Sequence, residues 1–442
     1  MVFRALAPTL RSSLAVCLAS IVAACVAACT WSAGCSKATS DDIVLWKTTE
    51  KGPSKLAATL RDRSTESKLR GEAALALVDI GKPDEVETAL AAMPTAERWE
   101  INKTLLPLYI TQISSTADSA PEKSLAYRDA LFSARGLAQA DDQKRIDAAL
   151  MPGIEQELRT GRVRNGRHAV EKILTTIGTP AGAMLAHLLD EPITGYAAVA
   201  QLLSRVGDEP AREKGAESLV ARARHGGTVP EPMWRSIGLL GGPAAVAFLK
   251  AKILAGTREE ASSAVRALQE RRDPSVLPFA LQLAGDPKAD RSIRDEMFGV
   301  VEGIGGLEAK DGLIRIIRSD KEDLVRYRGF ESLLAVARQD GIVPGLEAFP
   351  ASGTYKKVDV EDLLVKLIEK LGPPARPALI KGLLSKAPLA RMTATLSLET
   401  VGAAADAAAL GELAKDAGTV RGFPAGDTVG KEAVRVAAVV RK

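Results

Sequence analysis

The chain of 442 residues reads as an all-α protein, a right-handed α-solenoid of roughly 9–11 stacked helical hairpins. Three observations predict this: a set of apolar rungs that recurs at fixed offsets, a spacing between copies that suits one hairpin, and a composition suited to thin helical layers. Apolar residues make up 46% of the chain but aromatic ones only 4%, as expected where small side chains let helices stack closely and no central core has to be filled.

The ladder is clearest near the C-terminus. With Arg391 as position zero, Ala394 at +3, Leu398 at +7 and Val401 at +10 share one helical face, and Gly402 at +11 ends the helix. The same offsets place Ala73, Leu77, Ile80 and Gly81 after Arg70, Val170, Leu174, Ile177 and Gly178 after Arg167, and Met297, Val301, Ile304 and Gly305 after Arg294. Copies starting at Tyr196, Pro230 and Glu361 keep the rungs and the glycine but not the arginine. Copies near Val265 and at Arg326 are degenerate, ending around Asp273 and on Ala337. From Gly178 through Gly207, Gly241, Asp273, Gly305, Ala337 and Gly372 to Gly402, the stops lie 29, 34, 32, 32, 32, 35 and 30 residues apart. That length holds two helices and two short connections.

Taken in order, residues 1–28 read as an export signal, with Arg4 and Arg11 ahead of an apolar run from Leu14 to Ala28 that is short for a bilayer span. All four cysteines, Cys17, Cys25, Cys29 and Cys35, fall in the first 35 residues, which argues against a disulfide framework. The segment resembles a bacterial lipoprotein signal, whose final cysteine is lipidated and becomes the new N-terminus. Val26-Ala27-Ala28-Cys29 matches that pattern best, with Cys35 and Cys25 as alternatives. No Asp follows any of the three, which by resemblance to enteric sorting implies a lipid anchor in the outer membrane, with the body facing the periplasm.

Residues 29–50 read as a polar tether and 51–442 as the solenoid. Lys55, Leu56 and Leu60 open the first hairpin, and Pro83-Asp84 restarts a helix after Gly81. The stretch 97–140 is divergent, holding either two irregular hairpins or an inserted pair of longer helices; Trp99 to Ile113 and Leu125 to Ala140 look helical, with a loop from Ser114 to Pro121. The rungs then run regularly to Ala348. Residues 350–359 lack rungs and read as a surface loop, a hinge or a contact. A hairpin through Leu410 and Leu413, a glycine-rich turn from Gly418 to Gly430 and a last helix from Lys431 to Val440 close the stack.

The rungs, the arginine at position zero, the terminal glycine and the prolines at Pro180, Pro243, Pro373 and Pro374 resemble HEAT repeats of the short type also found in phycobilin lyases, over about residues 50–440. The resemblance implies an armadillo-like superhelix with a long concave face. It also implies an Asp six residues ahead of the arginine, a spacing kept by Asp320 and Arg326. Bilin attachment is not carried over, because an exported chain would not meet that chromophore. The repeated arginines read as structural, bonded to an adjacent turn or a neighbouring carboxylate.

Candidate contacts on the concave face are Glu72, Arg205, Asp295, Glu302, Lys370 and Glu399. Their mixed sign argues against nucleic acid, in spite of a net charge of +4. His168, His187 and His225 are scattered without metal-ligand spacing, no GxSxG occurs, and Ala425 to Glu432 departs from a phosphate loop at both ends, so no catalytic, metal or cofactor site is expected. The expected function is that of a non-catalytic, lipid-anchored envelope scaffold binding a protein or peptide partner. The alternative is a periplasmic enzyme or small-ligand binder with a site in 97–140, where Trp99, Tyr109 and Tyr127 supply aromatic rings.

Overall fold

A computed structural model describes residues 38–117, 119–161 and 169–442. The export signal, the four cysteines, Arg167 and His168 lie outside the described residues. The described residues are mostly helical; the only strand-like pairings among them are single bridges, Thr419 with Thr428 and Arg421 with Phe423. This architecture is compatible with an α-solenoid.

The chain divides into two compact units at Ile177 and Gly178. The first holds α1 (Ser40–Trp46), α2 (Gly52–Arg61), α3 (Ser67–Asp79), α4 (Pro83–Ala91), α5 (Thr95–Thr116), α6 (Pro121–Arg135), α7 (Ala140–Thr160) and α8 (Val170–Ile177). Here α2 packs on α3 and α4, and α5 packs on α3 and α6. Leu56, Leu60, Leu77 and Leu90 are buried between them.

The second unit opens with α9 (Pro180–Asp190), α10 (Tyr196–Val206), α11 (Glu209–His225), α12 (Glu231–Leu240), α13 (Gly242–Ala255), α14 (Arg258–Arg271), α15 (Leu277–Ala284) and α16 (Arg291–Ile304). It continues with α17 (Gly306–Ser319), α18 (Asp323–Ala337), α19 (Ile342–Ala348), α20 (357–369, with a π-helical stretch at Val360–Val365), α21 (Arg376–Leu383), α22 (Pro388–Val401), α23 (Ala407–Glu412) and α24 (Val429–Val440). From α10 to α24 every even-numbered helix packs against the next even one, and these helices carry the ladder. The odd helices cover them. Rungs such as Val199, Leu203, Ile237, Val301, Leu364 and Leu398 are buried in the shared core, because positions +3, +7 and +10 turn to one side of a helix.

Five of the ladder glycines, Gly81, Gly178, Gly241, Gly305 and Gly372, take positive φ, the conformation that ends a helix most cheaply without a Cβ. Gly207 and Gly402 end their helices with φ near −73° and −72° instead. In the two degenerate copies the same job falls to non-glycine residues, Arg272 at φ 55° and Arg338 at φ 50°.

Three expectations need correction. Residues 40–46 of the supposed tether form α1, whose Thr39–Asp42 capping box and buried Ile43 hold it to the body, helped by Lys47 Nζ at 2.5 Å from Asp79. Seven residues are too few for periodicity to register, but Thr-Ser-Asp-Asp is a start signal. In the divergent region α5 runs on to Thr116, past the expected loop start at Ser114. The hydroxyls of Ser114 and Thr116 donate to the carbonyls of Ile110 and Gln112, four residues back, and so stay within the helix. Two long helices, α5 and α6, therefore fill this region. Finally, the 350–359 loop becomes helical at Lys357, and its Tyr355 is buried.

Candidate functional site

The described position-zero arginines, Arg70, Arg294 and Arg391, are internal ties. Arg70 Nε donates to Leu60 O at 2.8 Å, ten residues back, and its Nη2 meets Glu97 at 2.7 Å. Arg294, almost wholly buried, repeats the arrangement with Ala284 O at 3.0 Å, Asp320 and Glu322. Arg391 donates to Ser385 O at 2.8 Å and holds Asp416 at 2.6 Å. Each thus joins the end of the preceding helix to an acidic residue 25 to 27 positions further on. Those carboxylates escape a reading confined to the six residues before the arginine. For Arg326 that reading is corrected: its Nε donates to the main-chain oxygen of Asp320 at 2.8 Å, while the Asp320 carboxylate is taken by Arg294.

Of the six expected surface contacts, three are bonded to neighbouring helices. Glu72 accepts from Ser40 at 2.7 Å, Glu302 from Ser332 at 2.6 Å and Arg328 at 2.8 Å, and Glu399 from both terminal nitrogens of Arg435 at 2.9 and 2.8 Å. Arg205, Asp295 and Lys370 are exposed. In the second unit the pattern extends along the even helices: Ser263 to Glu231, Ser262 to Glu296 and Thr400 to Glu369 link successive ones at 3.0, 2.8 and 2.6 Å. A carboxylate on one helix and a hydroxyl or guanidinium on the next form a fixed polar track. Six isolated residues did not reveal it; the spacing of about one repeat between partners would have.

The aromatic residues of the divergent region belong to the core. Tyr109 and Tyr127 are buried with ring centroids 6.1 Å apart, and Tyr127 Oη donates to Asp79 at 2.5 Å. Burial raises both phenols far above the ordinary value, the Asp79 charge adding to it at Tyr127. Asp79 itself is pushed up by burial, yet the Lys47 and Tyr127 donors bring its carboxyl out below the usual range. Trp99 is half-buried. His187 sits among Asp190 and Glu191, and His225 bonds Ala221 O; among the described residues no group of three or more His, Cys, Asp or Glu is arranged to hold a metal. Glu432, in the first turn of α24, accepts from Lys357 at 2.7 Å and Arg435 at 2.7 Å and so clamps α24 to the start of α20.

One concavity was not read from the sequence. In the second unit a cleft of about 370 Å³ opens between the 350–356 loop, the 419–421 segment and the first turn of α22. Phe349, Pro350, Tyr355, Leu389 and Val420 supply apolar wall, and Arg318, Arg421 and Glu347 the charge. The loop's lack of rungs was the visible signal. Its pairing with Arg421, 66 residues beyond Tyr355, was not.

No family model matches the chain, and no curated protein matches it.

Proposed function

We propose that this chain is a non-catalytic scaffold, a lipid-anchored envelope protein of HEAT-like hairpins wound into a right-handed superhelix, whose ladder-helix face binds a protein or peptide partner. The observation that carries the reading is the polar track along the even helices of the second unit. A surface whose carboxylates are already bonded to neighbouring helices meets a partner with little side-chain entropy left to lose. Its mixed charge favours a partner of mixed charge over a polyanion. Arg205, Asp295 and Lys370, exposed along the same row of helices, are the expected contacts.

A photoreactive residue at 295 or 370 should crosslink the same envelope protein, whereas one at Leu254, exposed on the odd helix α13, should not. Crosslinks to no protein from either even-helix position, together with saturable uptake of a small molecule, would overturn the scaffold reading. The anchor is tested separately by labelling cells with an alkyne fatty acid. Label should disappear in Cys29→Ala; label surviving in both Cys29→Ala and Cys35→Ala rules out both attachment points. No helix among the described residues is long and apolar enough to cross a membrane.

A further inference from the structure

The cleft beside α22 has a charge pattern that the fold itself does not use. Among the described residues Arg318, which lines it exposed, makes no ion pair, and Arg421 gives one terminal N–H to Ser352 O at 3.2 Å and meets no carboxylate. This contrasts with Arg70, Arg294, Arg326, Arg376, Arg391 and Arg435, each of which meets an acidic side chain. Glu347 is the carboxylate in the wall, and it accepts from Ser385 at 2.7 Å. Two guanidiniums against one carboxylate leave a single positive charge.

The walls are preformed. Tyr355 N–H donates to Arg421 O at 2.7 Å and Tyr355 Oη to Pro350 O at 2.7 Å, so the 350–356 loop and the 419–421 segment are laced together. Phe349 stacks edge-on with Tyr355 at 5.8 Å and with Phe330 at 6.1 Å. Lys357, two residues past Tyr355, reaches Asp427 at 3.1 Å and Glu432 at 2.7 Å and ties the same two stretches of chain. A rigid, largely apolar cleft of this volume lies in the range of small-ligand sites.

We propose that this cleft binds a monocarboxylate carrying an apolar or aromatic group next to the acid, the chemistry of a chain's C-terminal residue or of a free aryl or alkyl acid. The single net charge suits one carboxylate, and Glu347 opposes a doubly charged phosphate. Guanidinium forks match the carboxylate plane, and the aromatic and proline walls take the apolar group. The cleft stands on its own geometry, apart from the ladder-helix face, and neither proposal depends on the other.

The test uses N-acetylphenylalanine and its amide as probes of the purified chain, with binding read by ligand-observed NMR titration. The acid should bind saturably and the amide about tenfold or more weakly, since only the acid offers charge to the two arginines. Arg318→Gln should weaken the acid by about tenfold while leaving far-UV circular dichroism unchanged, because the side chain holds no partner among the described residues. Ala351→Trp, at an exposed wall position, should block the acid by filling the space with both arginines intact. A hexapeptide ending in the same Phe separates the sources: tighter binding than the single residue identifies a chain terminus, equal binding a free acid. Equal affinity for acid and amide, no binding of either, or wild-type affinity in both variants overturns the proposal.

Discussion

Arg294 shows how much can rest on one side chain. Its guanidinium, 2% exposed, joins the carbonyl of Ala284 to the carboxylates of Asp320 and Glu322, and so ties three successive segments. Arg294→Ala leaves Asp320 buried without its partner, and loss of one member of a buried pair costs about 3–5 kcal/mol. Urea unfolding should show that loss, and Arg391→Ala, at a more exposed pair, should lose less; an Arg294→Ala protein within about 1 kcal/mol of wild type would sink the tie. Arg338 points the other way. At φ 50° and ψ −134° it occupies the backbone region that Gly241, Gly305 and Gly372 take at their helix ends. Arg338→Gly should therefore stabilise the chain by about 1–2 kcal/mol, seen as a raised melting temperature.

Between elements, one very close approach is at Gly238 on α12, where a Cβ would overlap the main-chain carbonyl of Ala267 on α14. Backbone cannot step aside as a side chain does. Gly238→Ala is expected to force the helices apart and destabilise by about 1–3 kcal/mol, whereas Gly411→Ala, where a Cβ meets open space within α23, should be neutral or stabilising by up to about 1 kcal/mol. A shift of equal size at both positions would show that helix propensity, not the approach, is being read. The C-terminal helices also share an acid-sensitive seam. Arg376 holds Asp406 at 2.8 Å and Arg391 holds Asp416 at 2.6 Å, and these donors depress both carboxyls below the ordinary 3.8. A depressed folded-state value means the stabilisation is complete above 3.8 and is lost as pH falls through the lowered values. Urea midpoints measured down to pH 3 should accordingly fall less steeply in Asp406→Asn than in wild type; identical slopes would remove the seam from the account.

In the second unit as a whole, most helices contact only helices one or two places away, the Lys357 clasp to Asp427 and Glu432 excepted, so damage at one end should stay near that end. A chain ending at Asp427 lacks α24, which packs on α22 and α23. Amide exchange should quicken in α22 and α23 and keep its wild-type rate in α12 to α16; uniform loss of protection would mean a single cooperative core instead. The same neighbour-to-neighbour logic explains what could be read ahead of the structure. Rungs and stops follow from positions a few residues apart, so Leu203, Val301 and Leu398 were legible as core. The long α5 was half legible, because serine and threonine look like loop until their hydroxyls find the carbonyl four residues back. The cleft was illegible, since Tyr355 and Arg421 meet across 66 residues with no shared period.

By itself, the sequence determined the helices, their register and most of their ends, because an i, i+3, i+4 apolar stripe and a glycine stop are local demands that each segment settles within a few residues. Only the tertiary structure decided which carboxylate each buried arginine meets, that the supposed tether carries a docked helix, and that two unrelated loops wall a charged cleft. Those outcomes depend on desolvated charges and main-chain donors finding partners a full repeat or more away. Sequence spacing alone does not rank the partners within reach; burial does, by making an unpaired charge too costly to leave.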